Sequence, residues 1–128
     1  MSGRNLSGLM MDEYPLSLTA IVERAERFGG ERDVVSRRPD GAIDRTTLGA
    51  CVERARRLAS GLARLGIGAG DRVATLLWNQ PEHLELYFGV PLMGAVIHTL
   101  NPRLHPEELG FIAADADDRA IIVDESLL

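Results

Sequence analysis

Gly66, Gly68 and Gly70 stand at alternate positions just before an apolar run, in GIGAGDRVATLLWN, and three glycines so spaced could cradle a phosphate. That chemistry needs backbone N–H groups that face the anion from a turn following a strand and opening a helix. Other reactive groups are scattered. His83, His98 and His105 have no metal-ligand spacing, and nothing sets a serine, a histidine and an acid together for hydrolysis. Asp115, Asp117 and Asp118 supply the acids of a calcium loop without its glycine or its twelfth-position glutamate. All 14 basic residues are arginine, which excludes a Schiff base or a phosphate-loop lysine within these residues. Cys51, the single cysteine, has no partner for an internal disulfide and falls on an apolar helical face, where a packed side chain is expected.

The elements that must position these groups follow from periodicity. Leu18, Ile21, Val22, Ala25 and Phe28 recur at helical spacing behind Ser17 as candidate N-cap, with Gly29-Gly30 as the stop. Residues 33–38 and 43–46 flank Pro39-Asp40-Gly41, a turn signal that predicts a β-hairpin. Residues 47–65 carry the strongest helical stripe: Leu48, Cys51, Val52, Ala55, Leu58, Ala59, Leu62 and Leu65. Glu53, Arg54, Arg56, Arg57 and Arg64 lie opposite and read as a solvated face. Residues 72–78 then form a buried-strand run. A helix over 81–93 follows, capped by Asn79 or Gln80, and then a short strand over 95–99. A helix over 106–116 places Glu107 and Glu108 at its positive end, and residues 120–124 form a third strand. The fold expected is α/β: a β-hairpin plus helices leading into a βαβαβ parallel sheet over residues 16–128. Residues 1–15 lack periodicity and read as an arm or tail.

This order disposes of the phosphate turn, because the glycines follow a helix and precede a strand, the reverse of the fingerprint. In open parallel sheets ligands bind beyond the carboxyl ends of the strands. There stand Trp78 and Asn79, and His98 and Thr99 continuing to Asn101, as candidate contact residues; caps and Asx-turns are the alternative for both asparagines. His83 and His105, in first helical turns, are expected to be exposed.

A chain of 128 residues fits one domain with a real core. Its net charge of −5 argues against nucleic acid or an anionic membrane surface as principal partner, and no apolar stretch is long enough to span a bilayer. One cysteine and no visible secretory signal suit a cytoplasmic protein.

The run LGIGAGDRVATLLWNQPEHLELYFGVPLMGAVIHTLNPRLHPEELGFIAADADDRAIIVD resembles the amino-terminal region of adenylate-forming enzymes, the acyl-CoA synthetase superfamily. EYPLSL, VVSRRPDG, DRTTL and HTLNPRL are most similar to medium- and long-chain fatty-acid–CoA ligases. The resemblance implies a parent enzyme that uses ATP, magnesium and coenzyme A to convert a fatty acid to an acyl-adenylate and then a thioester. Its phosphate loop and two lysines have no counterpart here, so the resemblance implies an amino-terminal fragment that is inactive alone. The close of the chain, with no further cap or element after residue 124, reads the same way. By position, Trp78, Asn79, His98, Thr99 and Asn101 become acyl-pocket candidates. Met10, Met11, Tyr14 and Leu16 become candidates for homodimer contacts of the kind the long-chain branch implies. The alternatives are a non-catalytic dimerisation or interaction module built on that fold and, disfavoured by the glycine order, an independent nucleotide-binding domain.

Overall fold

The computed structural model describes residues 17–38 and 40–128. Residues 1–15, and with them Met10, Met11 and Tyr14, lie outside the described residues, as does Leu16. α1 (Leu18–Gly29) follows Ser17, whose backbone takes the extended N-cap conformation but whose hydroxyl makes no cap bond. Of its apolar stripe only Val22 is buried, while Leu18, Ile21 and Phe28 remain exposed. β1 (Asp33–Arg37) and β2 (Ile43–Thr47) form the expected antiparallel hairpin. Gly41 accepts φ 90° in its turn, and Asp40 Oδ1 accepts from the Ala42 amide at 2.9 Å.

α2 (Leu48–Arg64) opens where the Thr47 hydroxyl accepts from the Ala50 amide. Cys51, Val52, Ala55 and Leu62 are buried, whereas Leu58 is only partly so. Leu65 departs from the predicted stripe. It is the C-cap, 80% exposed, because the helix ends one residue earlier and Gly66 turns the chain at φ 88°. Arg54 also departs from the solvated face expected of it. Its Nε donates to Glu85 Oε1 at 2.7 Å, and Glu85 is buried between the helices. Two other arginines of that helical face, Arg56 with Glu26 and Arg57 with Glu53, make exposed pairs worth little.

β3 (Arg72–Leu76), β4 (Val96–Thr99) and β5 (Ala120–Val123) form a parallel sheet in the order β4-β3-β5, each strand shorter than its apolar run suggests. The connecting helices are α3 (Pro81–Leu92) and α4 (Pro106–Asp115). With β3 central and the chain passing from one neighbour to the other, right-handed crossovers place α3 and α4 on opposite faces. The core lies on the α3 side: Leu62, Ile67, Val73, Leu86, Val90 and Ala95. α2 and α3 meet closely at Gly89, where a Cβ would sit 2.7 Å from the Ala55 carbonyl oxygen. No residue of α4 is buried, although His105 and Glu108 close a capping box at its start.

Two further expectations change. His83 is buried, not exposed, because α3 docks its first turn onto Thr75, whose hydroxyl meets His83 Nε2 at 3.0 Å. The end of the chain does carry a cap: β5 stops at Val123, and Asp124 caps a 3-10 turn over Glu125–Leu127 by accepting from the Ser126 amide.

Candidate functional site

The glycine turn is occupied by its own neighbours. The Gly68 amide donates to Asp71 Oδ2 at 2.8 Å and the Gly70 amide to the Gly94 carbonyl at 2.9 Å. Gly66 and Gly70 adopt positive φ; Gly68 does not. The donors a phosphate would need are therefore spent within the turn, on Asp71, and on the end of α3, at Gly94. Among the described residues no group of three or more His, Cys, Asp or Glu could hold a metal ion. The glycine turn does not fit a phosphate.

Beyond the carboxyl ends of β3 and β5 a polar crest forms. Trp78 and Asn79 follow β3, and with Arg37 and Arg38 of the hairpin they line an open cleft of about 420 Å³. Ser36 Oγ donates to the Asn79 carbonyl at 3.3 Å, so the hairpin is tied to the strand end. Arg38 lies at the centre of this contact. It pairs with Asp44, donates to Gln80 Oε1 at 2.6 Å, and reaches the two Glu82 oxygens at 2.9 and 3.2 Å. Glu82 and then Asp44 raise its pKa further above its already high value, so the guanidinium carries a charge those acids already balance. Gln80, at the N-cap position of α3, makes no cap bond with its side chain; it donates to Asp124 Oδ2 at 2.7 Å instead. Ser126 Oγ donates to Asp124 Oδ1 at 2.6 Å, and the Trp78 indole donates to Ser126 Oγ at 3.0 Å. These bonds from Ser126, with smaller help from Gln80 and Arg38, hold the Asp124 carboxyl below its usual range.

The sequence candidates thus divide. Trp78 and Asn79 stand together at the cleft. His98, Thr99 and Asn101 are not among its lining residues. His98 lies within β4, where Asp118, almost fully buried, accepts from its Nδ1 at 2.9 Å. Thr99 is exposed at the strand end, and Asn101 Oδ1 accepts from the Arg103 amide, the Asx-turn foreseen as its alternative. Arg38, Gln80, Asp124 and Ser126 were missed. A D-x-S signature directly after a strand was the local signal for two of them; Arg38 has Asp44 six residues on, but the bonds that tie Arg38 to Gln80 and Gln80 to Asp124 span more than 40 residues and leave no local trace.

A second hollow of about 310 Å³ runs along α1 beside Ile21, Phe28 and Leu48, away from the strand ends. No helix among the described residues is long and apolar enough to cross a membrane.

The profile of the AMP-binding enzyme family matches residues 21–128. The chain is 51% identical over 119 residues to a long-chain-fatty-acid–CoA ligase of Thermus thermophilus, covering 93% of this chain and 22% of that protein. It is 40% identical over 121 residues to a 3-methylmercaptopropionyl-CoA ligase of Ruegeria lacuscaerulensis, covering 94% of this chain and 22% of that one. Its fold superposes on a Mycobacterium tuberculosis fatty acyl CoA synthetase with a TM-score of 0.74 at 28% identity, over 84% of this chain and 21% of the other. The chain therefore spans about a fifth of the length of the relatives it matches.

Proposed function

The chain belongs to the AMP-binding enzyme family, and from that premise we propose that it forms the amino-terminal α/β part of an ATP-dependent, AMP-forming ligase joining a medium- or long-chain fatty acid to coenzyme A. The observation that carries the substrate class is the 51% identity to a long-chain fatty-acid ligase over nearly the whole chain. ATP, magnesium and coenzyme A serve the whole enzyme; the residues present here supply scaffold and one wall of the acyl site, and the chain alone is inactive. Trp78 and Asn79 are the wall residues best supported, since both face the cleft beyond β3. His98, Thr99 and Asn101 remain candidates by position along β4 and the loop after it. The protein works in the cytoplasm.

Catalytic chemistry lies outside these residues for a physical reason. Adenylation needs preorganised cations and N–H groups around a triphosphate. Here Arg38 is neutralised by two acids, and the amides of Gly68 and Gly70 are already bonded. What this region can contribute is shape. The apolar run of β3 ends in an aromatic ring at an open cleft, the surface an alkyl chain would lie against.

The test uses the 128-residue chain with ATP, magnesium, coenzyme A and fatty acids of graded length. No pyrophosphate should appear above the blank, and a fatty acid should quench Trp78, the single tryptophan. Pyrophosphate release would overturn the assignment of catalysis to other residues; emission indifferent to every acid would overturn the acyl-wall assignment.

A second reading, a non-catalytic dimerisation module, draws on Phe111, Val96 and Ile121, which are exposed around α4 and the sheet face beside it. For either reading we place the homodimer contacts on Met10, Met11, Tyr14 and Leu16. Light scattering with and without residues 1–15 should show a dimer that becomes a monomer on removal.

A further inference from the structure

An unbroken series of hydrogen bonds crosses the crest from the hairpin to the indole: Arg38 to Gln80, Gln80 to Asp124, Ser126 to Asp124, and Trp78 to Ser126. Its direction is fixed by donor count. An indole N–H can only donate, and a serine hydroxyl has one proton. Ser126 gives that proton to Asp124 and so presents a lone pair to Trp78. Gln80 is fixed in the same way, with its oxygen toward the Arg38 cation and its NH₂ toward the Asp124 carboxylate. Asp124 gathers both ends, one oxygen taking Gln80 and the other the Ser126 hydroxyl and amide. The Asp124 carboxyl, held below its usual range, stays an acceptor at neutral pH.

Most of these groups sit at or near the surface, where each bond adds little to folding stability. Their geometric effect is larger. Trp78 keeps 38% of its surface exposed, and its ring would otherwise be free to change rotamer at the edge of the cleft. Bonding to Ser126, itself bonded to a charged group, holds the ring edge toward β5 and leaves its body beside Asn79, Arg37 and Arg38.

We propose that Asp124 and Ser126 are positioning residues that lock the Trp78 indole as a rigid wall of the acyl cleft and thereby set its discrimination among acid chain lengths, with Gln80 and Arg38 holding Asp124 in register. The chain-length part rests on the acyl-wall reading given above; the locking of the indole does not.

The test exploits the single tryptophan, since all indole emission comes from Trp78. Without ligand, Ser126→Ala should lower the emission anisotropy and raise the acrylamide quenching constant, with an unchanged thermal melt by circular dichroism. Ser126→Thr keeps the hydroxyl and should restore both. Asp124→Asn, which weakens the acceptor, should fall between them. With graded fatty acids, a fixed wall distinguishes neighbours differing by one methylene by roughly tenfold or more; Ser126→Ala should compress that step while Ser126→Thr retains it. Unchanged anisotropy and quenching in Ser126→Ala would overturn the locking, as would a Ser126→Thr that fails to rescue it. If the indole loosens as expected but no acid perturbs even the unmodified chain, the acyl-wall reading fails and takes the chain-length role with it.

Discussion

Val73 and Thr75 point from β3 into the layer formed by α2 and α3, where neither keeps any exposed surface; Val96 and Ile121, on the opposite face, keep about half of theirs, 49% and 48%. Both faces carry apolar side chains and a connecting helix; the second also holds Arg72 and His98, and it is closed only at its centre, where Ala74 is fully buried, while its edge strands stay open. Closure on the first face depends on two details. Gly89 lets the α3 backbone come within contact of Ala55, and Arg54 satisfies Glu85, which would otherwise be a buried lone charge. α4 lacks the first device, and the second has a counterpart only beyond its end, where His98 meets the nearly buried Asp118. A Cβ at Gly110 would meet nothing within 4 Å among the described residues, and Phe111 stays 71% exposed. Burial here follows from how closely two backbones can approach and whether the polar groups caught between them find partners.

The contrast is broken or sharpened most strongly by truncation. Leu86→Ala on the closed face should cost about 2–5 kcal/mol, and Ile121→Ala on the open face roughly 0.5 kcal/mol or less, by urea unfolding. Similar costs would mean that both faces are packed. Adding one carbon gives the next effect. Gly89→Ala should destabilise by about 1–3 kcal/mol through overpacking against Ala55, despite a helix-propensity gain of about 1 kcal/mol. Gly110→Ala, which enters open space, should be neutral or stabilising by up to about 1 kcal/mol. Opposite signs at the two glycines would support the distinction, and equal signs would remove it.

The smallest effect is a pH dependence confined to the closed face. Burial pushes the His83 imidazolium pKa below its ordinary 6.5, partly opposed by the Trp78 carbonyl, which already accepts from the Gln80 amide. Among the described residues His83 Nδ1 has no hydrogen-bond partner, and the Trp78 carbonyl offsets only part of the cost of burying the charged ring. Because the folded pKa is depressed, the unfolded chain binds the proton first. Stability is complete above pH 6.5 and declines below it until the folded pKa is passed. Asp124 adds a loss of the same sign in a separate, more acidic window, below its ordinary 3.8. Denaturant midpoints measured from pH 8 to pH 5 should fall for the unmodified chain and flatten for His83→Gln. A parallel decline in both would assign the effect elsewhere.

Element types and their order were legible because period and punctuation are local. The stripe of α2 names Cys51, Val52, Ala55 and Leu62 correctly, and the PDG turn marks the hairpin. The stripe overran at Leu65, since periodicity does not show where a glycine ends a helix. The burial of His83 depends on Thr75 lying beneath it, a fact of docking and not of pattern. The crest was half legible. Trp78 and Asn79 follow from the rule that ligands sit beyond strand ends, while the side chains that hold Trp78 are gathered from the hairpin, the start of α3 and the turn after β5.

The central place of β3 also predicts an order in time. β3 finds β4 with only α3 between them, but must wait for roughly twice that length of chain before β5 arrives, and longer loops close at greater entropic cost. The bond between Trp78 and Ser126, 48 residues apart, belongs to that late step. Refolding should therefore recover helical ellipticity first and the native tryptophan emission afterwards, with the lag visible in a stopped-flow trace. Simultaneous recovery would mean that the sheet assembles in one event. If the lag appears, the last residues to join the fold are also the ones that hold the indole in place.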